Sequence, residues 1–187
     1  SLLVSRIVSG SYTSATSSII ADSDTSASIV LETLSEGTNQ NSTSTLGSSG
    51  QLADGTADNI RWEVTAPNTG SGTFALLIRR GDDITTSKTI LETWSGLSLD
   101  PNSTNYIEKV IGNSKQTVAD DNGEYYIKND GTYNTLSRYV RVKSVATKTL
   151  NYFDNAGNAK AEFTSSIPVA ASGTLGAATG TPFTNAT

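Results

Sequence analysis

Between Ile60 and Thr93 three apolar runs of strand length follow one another, parted only by turn residues. "IRWEVT" alternates Ile60, Trp62 and Val64 with Arg61, Glu63 and Thr65, the two-residue period of a strand buried on one face. "APNTGSG" is a turn. "TFALLIRR" then carries a nearly continuous apolar stretch from Phe74 to Ile78 and reads as a central strand. "GDDITTS" joins it to "KTILET", Lys88 to Thr93, as a hairpin, because two β-rich runs flank a short Gly-Asp connection. A chain holding this block has to build a sheet with a buried face and arrange everything else around it.

One segment breaks the β pattern. Asp100-Pro101 makes a turn, and Asn102 or Ser103 is placed to cap a helix of two or three turns over 103–111. Ile107, Val110 and Ile111 share one face with Tyr106 beside them, while Gly112 supplies a left-handed stop. So short a helix does not survive alone and must pack on the sheet. Further strands are expected at Leu2–Val8, Ile19–Ile20, Ile29–Leu31 and around Val140, Val142 and Val145. "ADDNGEYYIK" is a tight turn feeding another strand, and Asn155–Gly157 centres a small hairpin. The expected class is α+β: a β-rich mixed sheet with a short packed helix and a polar surface insertion. Residues 1–8 and 59–164 form the core in this reading. Residues 9–58 are the insertion, and 165–187 a Gly/Ser-rich loop or extended arm.

The 187 residues suffice for one domain with its own core. Neither Cys nor His occurs, so disulfides, thiolate nucleophiles and cysteine metal sites are excluded, and the commonest neutral-pH proton shuttle is missing. The net charge of −5 is unevenly spread: Arg6 is the sole base of the first sixty residues, against Asp22, Asp24, Glu32, Glu36, Asp54 and Asp58. Such a balance disfavours nucleic acid, which needs a concentrated positive patch. No apolar run reaches the length of a membrane span, and no basic-then-apolar leader opens the chain. Met is absent and Ser1 runs almost directly into "LLVSRIV", so the expectation is an excerpt of something longer.

Several local patterns invite a chemical label and do not carry one. Arg80-Gly81-Asp82 spells an adhesion tripeptide but sits where a strand turns. Asp22, Asp24 and Ser26 begin like a calcium loop, yet Ala27 replaces the required Gly and the closing acid is displaced to Glu32. Asp120, Asp121, Asn122 and Glu124 have the composition of a solvated turn. Asn41, Asn102 and Asn185 open glycosylation-type triplets of the kind a Ser/Thr-rich chain produces by accident. "GTLGAATG" lacks the Lys of a phosphate loop. Glu63, Glu92 and Glu108 are the best acid–base candidates, and each equally fits the solvent face of a strand or helix. No catalytic, cofactor-binding or metal-ligating residue is assigned, and the expectation is a protein without enzymatic activity. Trp62 belongs with the core, whereas Trp94, past the expected strand end, suits a core cap or a subunit contact. Arg79 and Arg80 with Asp82 and Asp83 make an oppositely charged rim, a second possible subunit contact.

The combination of "FALLIRRGDD", "KTILETWSGLSLDPNSTNYIEKVIG" and "YVRV" resembles the tail sheath protein of contractile-tailed bacteriophages. The resemblance rests on Leu97, Leu99, Asp100, Pro101, Tyr106, Ile107, Val110 and Ile111, in a segment where that family packs a helix on its sheet. It is strongest over Thr73–Ser114, and "SGTLGAATG" departs from the Leu-Ser-Gly-Gly loop of that family. The resemblance implies a middle portion of a structural subunit that polymerises with copies of itself as stacked hexameric rings. It also implies contact with tail tube and baseplate proteins, and contraction from a metastable extended state that drives the tube through the host envelope. Cofactors, nucleic acid and membrane have no part in it. The implied location is the tail of the virion, after assembly in the host cytoplasm. The alternative is a β-rich surface adhesin or a receptor- or glycan-binding module, with binding carried by exposed loops.

Overall fold

The computed structural model describes residues 14–17, 20–21, 27–36, 60–80 and 83–176. Strands β1 (Ser14–Ser17), β2 (Ile20–Ala21), β3 (Ala27–Glu36), β4 (Ile60–Asn68), β5 (Thr73–Arg80) and β6 (Ile90–Ser98) come first. A one-turn helix α1 (Ile107–Val110), a hairpin of β7 (Lys115–Asp121) and β8 (Glu124–Asp130), and β9 (Val140–Val145) follow. Helix α2 (Ala161–Thr164) and β10 (Ala171–Gly176) complete the described chain, which is an α+β fold. Eight strands form one sheet in the order β2-β3-β1-β10-β4-β5-β6, with β9 paired to β3. The strand pairs are antiparallel, and a parallel bridge joins Ser98 to Tyr106.

The central block follows its alternation. Trp62 pairs with Ile78, Val64 with Leu76, Leu76 with Trp94 and Phe74 with Leu97, so the apolar members stack on one face of three neighbouring strands. All but Trp94 in that set are buried. Strand β6 runs on to Ser98, so Trp94 lies inside the strand rather than past its end.

One stretch expected to lie outside the sheet is built into it, and one expected short strand runs well beyond its apolar residues. Ala171–Gly176, read as part of a loop or arm, is β10, held between β1 and β4. Its small residues answer to the neighbouring indole: a Cβ at Gly173 would lie 2.8–2.9 Å from ring atoms of Trp62. Large residues on β4 thus require small ones opposite, which from the sequence look like a linker. Within the polar stretch 9–58, Ala27–Glu36 is a ten-residue strand with Ile29 and Leu31 in the core, paired to β9. The expected strand at Leu2–Val8, residues 37–58 and residues 177–187 lie outside the described residues.

The helix is shorter than expected, and its capping differs. Tyr106 occupies the N-cap position without a side-chain cap bond. Asp100 Oδ1 instead accepts from the Asn102 amide, and Ser103 Oγ from the Asn105 amide, so the polar residues shape the turn before the helix. Gly112, at φ +99, ends it in the left-handed region as expected.

The stretch Leu99–Gly112 runs between two strands that stand apart in the pairing order. Ser98 on β6 donates its amide to Asn105 O (2.9 Å), while Val142 on β9 donates to Gly112 O (2.9 Å). Leu136 N also donates to Ile111 O, fastening the loop that leads into β9. Leu97, Leu99, Tyr106, Ile107 and Ile111 from this segment share one core with Ile29 and Leu31 of β3, Val140 and Val142 of β9, and Leu175 of β10. Burying each large aliphatic side chain contributes about 1.5–3 kcal/mol. That burial holds in place a turn of helix too short to persist by itself.

Candidate interaction surface

Two of the four charges that the sequence places on a rim, Arg79 and Asp83, point inward. Arg79, only 2 % exposed, donates from Nε and Nη2 to both carboxylate oxygens of Asp83 (2.7 and 2.8 Å) and from Nη1 to Glu63 (2.9 Å). The Asp83 side chain is fully enclosed; it also accepts from the Thr89 amide, and Arg61 donates to its backbone carbonyl. Lys88 reaches the other oxygen of Glu63 at 2.6 Å. Burial pulls the Arg79 guanidinium down, but the hydrogen bonds and charges of Asp83 and Glu63 outweigh it and hold it above its ordinary value. Arg79 and Asp83 therefore brace β4, β5 and the β5–β6 connection within one molecule. Arg80 remains exposed at the strand end, and Asp82 lies outside the described residues.

Glu92 and Glu108 are likewise engaged. Glu92 accepts from Trp94 Nε1 (3.1 Å), Ser137 Oγ (2.6 Å) and the Arg138 amide (2.9 Å), tying β6 to the loop before β9. Trp94 is consequently half-buried, its indole N–H held within the chain. Glu108 accepts from Asn113 Nδ2. A further network, not anticipated from sequence, centres on Arg141 of β9. Its guanidinium meets Glu32 of β3 (2.6 Å), Asp130 at the end of β8 (3.1 Å) and the Asn113 carbonyl (2.8 Å). Glu63, Glu92 and Glu108 each serve separate hydrogen-bond networks. Among the described residues no group of three or more acidic side chains is placed to hold a metal ion. Asn102 is exposed and donates from Nδ2 to Asn151 Oδ1.

The residues that carry the family resemblance form the closing segment. Leu97, Leu99, Tyr106, Ile107 and Ile111 are buried, Val110 packs against the core, and Asp100 and Pro101 are half-buried in the turn before it. Burial pushes the Tyr106 hydroxyl up, and the Glu108 charge adds to the effect. That hydroxyl has no hydrogen-bond partner among the described residues. A phenol whose folded pKa is raised contributes stability that is whole below the unfolded value of about 10 and is lost as pH rises toward the folded value. Tyr106→Phe is expected to leave neutral-pH stability unchanged or raise it by up to about 1 kcal/mol. It should also move alkaline unfolding to higher pH, which urea titrations at pH 7 and above pH 10 would check.

The apolar surface lies elsewhere. Among the described residues strands β7 and β8 pair only with each other, and every residue of β8 is exposed. Val118 pairs with Ile127 and Asp120 with Tyr125, so Val118, Ile127 and Tyr125 share one face of the ribbon. They are 74 %, 70 % and 75 % exposed. Asn122 (φ 54) and Gly123 (φ 91) form the tight turn, with Asp120 Oδ1 accepting from the Gly123 amide. The base is rigidly set: Arg141 grips Asp130, and Asn113 Oδ1 accepts from the amides of Thr132 and Tyr133. Sequence gives the turn and the strand, but the polar run "KQTVADD" conceals that β8 has no second neighbour among the described residues. No protein-family model, curated protein or solved structure matches the chain.

Proposed function

We propose that this chain is a structural part of a contractile tail sheath, a block that works by fitting against copies of itself and against the tube it surrounds. The observation that carries the reading is the closing segment: Leu97, Leu99, Tyr106, Ile107 and Ile111, the residues of the family resemblance, are spent on joining β6 to β9. Two internally satisfied ion-pair networks, around Arg79 and around Arg141, add a second reason to expect a stiff body. A subunit of this kind stores free energy in the difference between two sets of protein–protein contacts, and contraction then needs no nucleotide, metal or turnover. The partners in this reading are further copies in stacked hexameric rings, the tail tube and the baseplate, and the location is the virion tail.

Electron microscopy of the polypeptide in its full-length context tests the proposal. Rings or tubes with a central channel are the expected result. Dispersed particles that bind a receptor or a glycan reproducibly and never assemble would replace the sheath reading with the adhesin.

A further inference from the structure

We infer that the β7–β8 ribbon is a docking arm whose occupant is a second copy of this chain, which receives it along the basic flank of β9. The inference rests on the reading of the chain as an assembling subunit and names the surfaces involved.

Scattered exposed apolar side chains are ordinary on a protein surface. Val118, Tyr125 and Ile127 are not scattered: they adjoin across one face of a two-stranded ribbon and are at least 70 % exposed. A ribbon of two strands is marginal in water unless something covers a face. This one is nonetheless anchored at its base by the Arg141–Asp130 ion pair and by the close approach of Gly131 to Asn113, where a Cβ would lie 2.2 Å from the carbonyl oxygen. The arm is fastened at its base and stands off the core, with β8 exposed along its length.

Charge complementarity selects the occupant. The tip, residues 119–125, holds no cation: Asp120 lies on the apolar face beside Tyr125, and Asp121 and Glu124 pair on the opposite face at the end of the ribbon. The chain around β9 holds the opposite sign: Lys143 on the strand, and Arg138 and Lys148 before and after it, are exposed, and their side chains form no ion pair among the described residues. Leu136 and Leu150, 65 % and 52 % exposed, stand at the two ends of the same stretch and supply apolar surface. An acidic–apolar arm and a basic–apolar seat on one polypeptide make a self-complementary pair. Where the arm of one copy enters the seat of the next, the contact is heterologous and propagates as a ring or helix.

Sedimentation velocity on the 187-residue chain tests this, using two variants and their mixture. Asp121→Lys/Glu124→Lys inverts the tip and spares Asp120, which orders the turn. Lys143→Glu/Lys148→Glu inverts the seat. All four positions are exposed, so circular dichroism should show both variants folded. The wild type is expected to self-associate, more weakly as salt rises. Each variant alone should lose about tenfold or more in association, because like charges then face one another. An equimolar mixture should recover it, an outcome that mere damage to either surface would not give. Wild-type association that both variants retain would overturn the docking arm and leave the assembling reading standing. A wild type that stays monomeric to millimolar concentration would overturn the second copy as occupant, while rings in the electron microscope would still uphold the sheath reading.

Discussion

Replacing Arg79 by Met is expected to cost about 3–5 kcal/mol of folding stability and, for a chain of this size, to lower Tm by roughly 10 °C. The reason is what remains behind. Asp83 keeps a carboxylate with no exposed surface and only Arg61, 3.8 Å away, as a charged partner, while Glu63 still meets Lys88; the stranded charge is that of Asp83. Burying a charge costs far more than burying a methylene unless a partner answers it. Arg79→Lys should recover only part of the loss, since an ammonium supplies one charge but not the fork that meets both oxygens of Asp83 and reaches Glu63 as well. Adding Asp83→Asn to Arg79→Met should restore about 1–2 kcal/mol, because the amide removes the stranded charge at the price of a weaker bond to the Thr89 amide. Urea unfolding of the four proteins checks the series. A loss below about 1 kcal/mol for Arg79→Met would show that solvent reaches the pair.

The same pair shows what a sequence conceals. "RRGDD" discloses two bases and two acids beside a turn, and nothing in the string says which way they point. Direction follows from the partner strand: Arg79 lies opposite Arg61 on the face that also carries Glu63, and the turn carries Asp83 back beneath it. The strands β4 to β6 were legible because their evidence is local, an alternation that each strand displays by itself. Strand β3 was legible only as a short apolar run, since its pairing with β9 is sealed by an ion pair between Glu32 and Arg141, 109 residues apart. Strand β10 was the least legible of all. Its small residues are dictated by the Trp62 ring, so the information that makes it a strand is stored on another strand. The interaction surface was hidden for the converse reason: Tyr125 and Ile127 sit in a run that reads as a buried strand, and only the topology shows that no third strand among the described residues covers it. Helix stop Gly112 needed no partner to be found, because a left-handed residue after an apolar turn is a local signal.

At Gly112 that local signal coincides with a long-range constraint, and Gly112→Ala is expected to be the most damaging single substitution in the closing segment, costing on the order of 4 kcal/mol. Part of the cost is conformational: at φ +99 an L side chain crowds its own backbone by about 1–2 kcal/mol. The larger part is contact. A Cβ there would stand 2.2 Å from Thr135 Cα and 2.4 Å from Asn134 O, and both are backbone, which has no rotamer by which to retreat. Moving the 134–135 backbone would disturb the bonds from the Leu136 and Ser137 amides to Ile111 O, and with them the bond from Val142 N to Gly112 O that fastens the segment to β9. Gly123→Ala separates the two contributions. Gly123 has a similar φ of +91 at the ribbon turn, yet nothing lies within 4 Å of its Cβ position, so its loss should stay near 1 kcal/mol. Equal effects in the two variants, measured by thermal and urea unfolding, would mean that the contact with residues 134–135 contributes little. A much larger effect at Gly112 would place the stability of the fold in the junction that joins β6, the helix and β9, which with the Arg141–Asp130 pair ties the ribbon to the sheet.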